Sequence, residues 1–508
     1  MFFPRTIPEG MFFDGLFYAN IARDMVYGSG TFWHPHFFVT FWGEHIGNTT
    51  DFYGHPSLAM WLLSWWYVVF GDHWFVEKAF CIFIWLATVV LVKKIYHQSV
   101  VSYQPSAFSY QPSAVSNQQT TDNCQLSIVN CQLTWWFPVF IWYCMPVVMW
   151  SYPYFILDNV MGAFSLGASL FIIKVLNNEK NKKKQKIVFL VRCSLFIALL
   201  HLAFLTKGPV GLYPLAIPFL YACVYPENLS IKKGFARSAF LFLIVVGSLG
   251  LWYFYAPARL FWQNYFHTQI VSSLSQNEHT EVYSWKDYTL VLQNLGVSAL
   301  PGILIAFLLW CFSKLKNAVL NISPENKKKS LFYFLIVLSG SLPMLVSHKT
   351  SWHYLITCLP FLAMSFAAYF ENTISDWLEK YALSKEKSKN VNRFLWLFNI
   401  GVVIYCCSLI GTVAREKELI NDLKIFKQII PRHTYIGVPH DMMNDFTYHA
   451  YFERYGDWVL QSPNDSMNFC LTLKNENPSD ITFQTYFSKQ PLPYLKLFDV
   501  YVKKLSSH

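Results

Sequence analysis

Residues 174–209 read KVLNNEKNKKKQKIVFLVRCSLFIALLHLAFLTKGP. Six lysines crowd the first thirteen positions; residues 187–206 then run on with one formal charge, Arg192, and the stretch ends on Lys207-Gly208-Pro209. An apolar run of this kind matches the roughly 20 residues an α-helix needs to cross the hydrocarbon core of a bilayer. The lysine run marks its cytoplasmic end, because basic residues accumulate in loops that stay inside. Arg192, one turn into the span, can extend its stem back to that face. Lys207 then stands at the outer junction, against the general pattern.

The rest of the chain repeats this design. Of 508 residues, 54% are hydrophobic, 19% aromatic and 14% charged, whereas soluble domains carry about 25% charged residues. The net charge of +10 is spread over short lysine runs between apolar stretches, which is a topology signal rather than a nucleic-acid-binding stripe, so no nucleic acid is expected. Ten stretches are candidate spans: 76–94, 134–150, 153–175, 187–206, 209–225, 238–258, 290–312, 331–347, 353–371 and 394–413. With the junction after the first taken as cytoplasmic, the inner loops hold 21 basic residues and the outer segments before residue 414 hold seven. That ratio sets the orientation.

Residues 1–75 are thereby expected outside, as a first extracytoplasmic loop. Its stretch 57–70, with Trp61, Trp65 and Trp66, reads as an interfacial helix. Residues 76–413 form the transmembrane domain, and 414–508, with 11 basic and 11 acidic residues and short apolar-aromatic runs, read as a small mixed α/β extracytoplasmic domain. An outer N-terminus is expected to follow a further span upstream of Met1; translocation of a short N-terminus is the other arrangement. Residues 102–133 repeat SYQPSA and NCQL and read as a low-complexity cytoplasmic insert. The 11 cysteines show neither a disulfide framework nor metal spacing.

Polar residues collect at the outer segments. Asp14 opens a short helix in which Tyr18 follows one turn later; spacing alone reads Asp14 as a helix N-terminal acid favoured by the dipole. His55 precedes the interfacial helix and by itself reads as structural. Asp158 lies about 8 Å inside a span at 1.5 Å per residue, and a carboxylate there is a functional hypothesis by default. Lys207, close to the membrane surface, suits a lipid-borne phosphate. Lys349, His353 and Tyr354 form a similar junction, and His279 lies in the long outer loop 259–289. Two acids and two lysines on one face suit a reaction between a membrane-embedded phosphate ester and an acceptor nucleophile.

Five segments carry a family resemblance: FFDGLFYANIARDMVYGSG (12–30), HPSLAMWLLSWWYVVFG (55–71), LDNVMGAF (157–164), LAFLTKGPVGLYPLAIP (202–218) and SHKTSWHYLITCLP (347–360). In this order they resemble the GT-C membrane glycosyltransferases of the aminoarabinose-transferase and protein-O-mannosyltransferase type, glycosyltransferase family 39-like. The resemblance implies an all-α polytopic membrane protein of GT-C type, with interfacial helices in the first outer loop and a small C-terminal mixed α/β domain. It implies a polyprenyl-phosphate sugar donor, a lipid, glycan or protein acceptor, and transfer at the outer face of the cell membrane. Asp14 and Asp158 are then the catalytic candidates, with Lys207, Lys349, His353, Tyr354, His55, Tyr18 and His279 as substrate-binding candidates. No cofactor is expected, a divalent metal being left open. The family's Asp-Glu pair stands here as Asp14-Gly15. The alternatives are a transporter or flippase of an anionic lipid or solute, which would need polar residues deep along several spans, and a catalytically impaired member of the family.

Overall fold

The computed structural model describes residues 2–28, 30–37, 51–101, 136–177, 186–271, 285–315, 319–346, 351–382, 385–474 and 485–504. The insert 102–133, Lys349 and His279 lie outside the described residues. The helices that matter for the site are α1 (Phe13–Tyr27), α2 (Leu58–Phe70), α3 (Val76–Val101), α4 (Pro146–Ser151), α5 (Leu157–Asn177), α6 (Lys186–Lys207), α7 (Ala256–Tyr265) and α8 (Phe446–Gly456).

Among the described residues six helices are long and apolar enough to cross a membrane: Val76–Gln98, Leu157–Asn177, Lys186–Lys207, Ile231–Phe254, Thr289–Leu315 and Pro324–Leu345. Four shorter apolar helices accompany them, Leu58–Phe70, Pro209–Val224, Leu359–Tyr369 and Trp396–Ser408. Prolines account for several places where an expected span is not one regular helix. The stretch 134–150 divides into Trp136–Tyr143 and α4, because Met145 before Pro146 is extended (φ −68°, ψ 127°) and a residue preceding proline avoids the helical region. The stretch 209–225 begins as a 3-10 helix, Pro209–Ala216, and 353–371 divides into a 3-10 segment Trp352–Thr357 and a helix Leu359–Tyr369.

The chain forms two compact units, one of Met1–Cys81, Pro153–Ile156 and Ile404–His508, the other of Ile82–Tyr152 and Leu157–Val403. In the second unit α5 is the central helix, buried along 83% of its apolar stretch, while α6 is buried along 22% and presents the remainder outward. Small residues let neighbours come close to α5. A Cβ on Gly162 would lie 3.3 Å from Thr357 Cα, and Ser165 Oγ donates to Gly211 O at 2.9 Å. Such contacts hold helices together where apolar burial supplies no drive. Arg192 of α6 donates to Lys174 O of α5 at 3.2 Å, at the end opposite Lys207, so the two helices run antiparallel.

In the first unit α1 packs against α2 and α8. It ends at Gly28, whose left-handed backbone (φ 91°) returns its N–H to Asp24 O. The tail contains the small mixed α/β domain expected from sequence. Strands β1 (Tyr435–Gly437), β2 (Val459–Gln461), β3 (Phe469–Leu473), β4 (Phe487–Gln490) and β5 (Phe498–Lys503) form one sheet in the order β2-β1-β3-β5-β4. β1 lies parallel to β2 and β3, while β5 lies antiparallel to β3 and β4. The parallel β1–β2 pair needs a crossover, which α8 supplies. Phe498 alternates inward on β5 and packs against Phe426 and Phe452 at ring-centroid distances of 5.7 and 5.6 Å.

The first loop and the tail are joined through buried polar groups. Tyr451 OH accepts from Met11 N (3.1 Å) and donates to Met11 O (2.7 Å), and Asn20 Nδ2 donates to Ala450 O (2.9 Å). Arg23 bonds Asp72 (3.0 Å) and Asp457 (2.9 Å), while Arg454 bonds Asp72 (2.8 Å) and Glu77 (2.7 Å). Arg432 adds a contact to Asp457 at 2.6 Å. Asp24 and Glu453 are left over from this balance. Asp24 has His36 Nδ1 at 3.9 Å, and Glu453 has no ion-pair partner among the described residues, with both oxygens buried. Burial raises both carboxyl pKa values, Glu453 well above the ordinary range, and the nearby Asp24 raises Glu453 further.

A carboxyl that binds its proton more tightly folded than unfolded stabilises the fold fully at acid pH and loses that contribution as pH rises. The loss at Glu453 begins above its ordinary value of 4.5. In detergent-solubilised protein, Glu453→Gln is expected to flatten the fall in thermal midpoint between about pH 5 and pH 8, by a few degrees for each ~1 kcal/mol involved. An unaltered slope in the variant would show that Glu453 is ionised across that range.

Candidate active site

The second unit brings Asp158, Lys207, His353 and Tyr354 together. Asp158 is the second residue of α5, where the helix N-terminus favours a carboxylate, and Lys207 is the last residue of α6, where the C-terminus favours a cation. Because the helices are antiparallel these two ends meet, and Lys207 Nζ donates to Asp158 Oδ2 at 2.5 Å. His353 Nε2 lies 3.7 Å from the same oxygen. Lys207 Nζ also sits 4.0 Å above the centroid of the Tyr354 ring, in cation–π geometry. Asp158 is 1% exposed, and among the described residues its Oδ1 has no hydrogen-bond partner.

Surrounding groups hold this arrangement. Gly208 stops α6 with a positive φ of 89°, and Tyr265 OH on α7 donates to Lys207 O at 3.3 Å. Ser351 Oγ and His353 Nδ1 are hydrogen-bonded at 2.7 Å. Trp150 on α4 lies 4.9 Å from Trp352 and 6.1 Å from His353, centroid to centroid, and forms an aromatic wall beside the imidazole. Sequence reasoning did not single out Tyr265, Ser351 or Trp150. Each lies in a segment whose neighbours are equally aromatic or polar, so nothing along the chain distinguishes it.

The first unit places Asp14 one turn before Tyr18 on α1 and brings His55 against Tyr18. Asp14 is in the first turn of α1 and partly exposed, and Tyr18 follows on the same face. The His55 ring meets Tyr18 nearly edge-on at 5.8 Å, and Phe52 closes the group at 6.3 Å from each. Arg415, another residue sequence reasoning passed over, lies over Phe12 at 5.1 Å, just before Asp14. It is placed there by a parallel bridge between Glu9 and Val413. Glu9 is bonded to Lys424 at 2.5 Å and to Tyr455 OH. Among the described residues no three His, Cys, Asp or Glu side chains are grouped to hold a metal ion.

By sequence, no family model and no curated relative matches the chain. In three dimensions it is similar to ArnT from Cupriavidus metallidurans. The likeness to ArnT bound to undecaprenyl phosphate has a TM-score of 0.60 at 13% identity, over 99% of this chain and 96% of that one. For ArnT in the apo state the TM-score is 0.58 at 13% identity, over 98% and 95%. The chain has the GT-C fold. At such identity the likeness speaks for the fold alone, and it extends through the tail sheet as well as the membrane helices. Of the candidate residues on this GT-C scaffold, two groups are formed, one in each unit.

The Lys207–Asp158 pair is buried, so removing one partner strands the other charge, at a cost of about 3–5 kcal/mol, whereas replacing both with apolar residues is close to neutral. Lys207→Met and Asp158→Leu are each expected to lower the thermal midpoint, and the double variant to recover most of the loss. Additive losses would show that the two charges are not coupled.

Proposed function

We propose that this protein transfers a sugar from a polyprenyl-phosphate donor to a lipid, glycan or protein acceptor at the extracytoplasmic face of the cell membrane. The observation that carries the reading is the buried ammonium of Lys207, at the end of an apolar helix and held by a carboxylate, an aromatic face and a nearby imidazole. A lipid phosphate arriving at the end of such a helix meets a cation at the depth of its own charged group. The family-like motifs and the GT-C fold support the same reading, and ArnT was solved with undecaprenyl phosphate.

The acceptor hydroxyl attacks the anomeric carbon of the donor sugar and passes its proton to the Asp14 carboxylate. The bond between that carbon and the phosphate oxygen breaks, and its electron pair leaves on the phosphate. Lys207 stabilises the phosphate charge as it develops, with Lys349 and His353 as further donors, while Asp158 holds the Lys207 ammonium in place. Tyr354 orients the lysine through its ring. His55 and Tyr18 line the acceptor side beside Asp14, and His279 contributes to the donor site.

Membranes containing the protein, incubated with labelled polyprenyl-phosphate sugars, are expected to move label into an acceptor fraction. Asp14→Asn is expected to lower turnover by about 10²–10⁴-fold and Lys207→Ala by about 10²–10³-fold, with membrane insertion retained. Wild-type turnover in both variants would sink the assignment. Movement of intact donor across the bilayer without cleavage would favour a flippase.

A further inference from the structure

The tetrapeptide Pro153–Ile156 is held from three sides within the first unit. From α1 the contact is backbone to backbone: a Cβ on Gly15 would lie 3.0 Å from Phe155 N and 3.4 Å from Phe155 C. From α3, Lys78 Nζ donates to Pro153 O at 3.3 Å and lies 5.2 Å from the centroid of Tyr154, while Phe80 meets Phe155 edge-on at 5.4 Å. From the tail, the Arg415 guanidinium covers the Tyr154 ring at 5.8 Å. Within the segment, Ile156 N–H turns back to Tyr154 O at 2.8 Å. The next residue begins α5, and Asp158 is the second residue of that helix.

Lys78 is the costly member of this arrangement. It is 4% exposed, and among the described residues no carboxylate lies within ion-pair distance of it. One bond to a carbonyl does not offset the desolvation of an ammonium. A methionine of similar length would fill the space without that cost, so the ammonium is not retained for stability.

We propose that Lys78 and Gly15 are positioning residues for the transfer reaction. Gly15 lets the turn that carries Asp14 rest on the Phe155 backbone, and Lys78 clamps the Pro153 carbonyl. The tetrapeptide, clamped in this way, is the seat of the turn that carries Asp14. This rests on the reading of Asp14 as a reaction-centre group. It also supplies a physical reason for Asp14-Gly15 where the resembled family carries Asp-Glu, since a side chain at position 15 would press on the Phe155 backbone.

The test uses the full-length protein in detergent, as wild type and Lys78→Met, with Gly15→Ala as a second probe of the same contact. Three quantities are read: hydrogen exchange of peptides spanning 153–160, the thermal midpoint, and kcat and KM for a labelled polyprenyl-phosphate sugar. In Lys78→Met, exchange over 153–160 is expected to rise at least about 10-fold and kcat to fall by about 10- to 100-fold, the scale of a small misplacement of reacting groups. KM for the donor and the thermal midpoint are expected to hold. Unchanged exchange over 153–160 would overturn the proposal, as would a fall in kcat matched by a fall in thermal midpoint. If the wild type transfers sugar from no polyprenyl-phosphate donor, the functional reading fails on its own, and the exchange data still decide whether the clamp exists.

Discussion

An ammonium and a carboxylate buried 2.5 Å apart, at the point where the end of Lys186–Lys207 meets the start of Leu157–Asn177, constrain most of what surrounds them. Neither charge is stable alone in an apolar setting, so the two helices must be antiparallel and in register, and the Arg192–Lys174 contact at their other end agrees. The pair also selects its neighbours. Tyr354 offers the lysine a ring face, His353 offers the carboxylate a nitrogen, and Tyr265 holds the carbonyl of Lys207 at the glycine that ends the helix. The polar groups are thereby preorganised on helix ends, the arrangement the proposed function requires for electrostatic stabilisation.

The first unit uses charge differently. There the first loop and the tail are joined by Arg23 and Arg454 facing Asp72, Glu77 and Asp457, the pairs that link them lying 377 to 434 residues apart in sequence. Buried networks of this kind add little net stability but penalise wrong pairings. They give the loop carrying Asp14 one defined seat against the tail helix. Asp24 and Glu453 are in excess over the arginines, and burial raises the pKa of both carboxyls. The tail helix α8 thus serves as a platform for α1, through Tyr451 and the Ala450 carbonyl as well as the ionic groups.

The GT-C fold explains why the functional candidates are so widely spaced along the chain. Helices that cross a membrane carry few polar groups inside, so chemistry is left to their ends and to the loops between them. Asp158 and Lys207 are helix ends, His353 and Tyr354 lie on a short 3-10 turn, and Asp14 belongs to a loop helix. Proline-broken segments such as Pro209–Ala216 and Trp352–Thr357 provide the close, irregular backbone around them.

Much of this was determined by the sequence alone. Apolar run length and lysine distribution are properties of a chain in a bilayer whatever its partners, so the membrane class, the spans opening near 76, 153, 187 and 331, and the mixed α/β character of the tail were legible. Asp158 and Lys207 stood out because each violates a rule of its local segment, one by entering a span and the other by charging the outer junction. Tyr265, Trp150 and Lys78 violate no such rule strongly enough to be noticed. Their roles come from contacts between segments distant in sequence, and a Tyr–carbonyl, Trp–imidazole or Lys–carbonyl contact leaves no pattern along the chain. Gly15 shows the same limit most simply. In sequence it is a missing acid, and only the tertiary structure shows how closely the Phe155 backbone approaches, 3.0 Å from where a Cβ would stand.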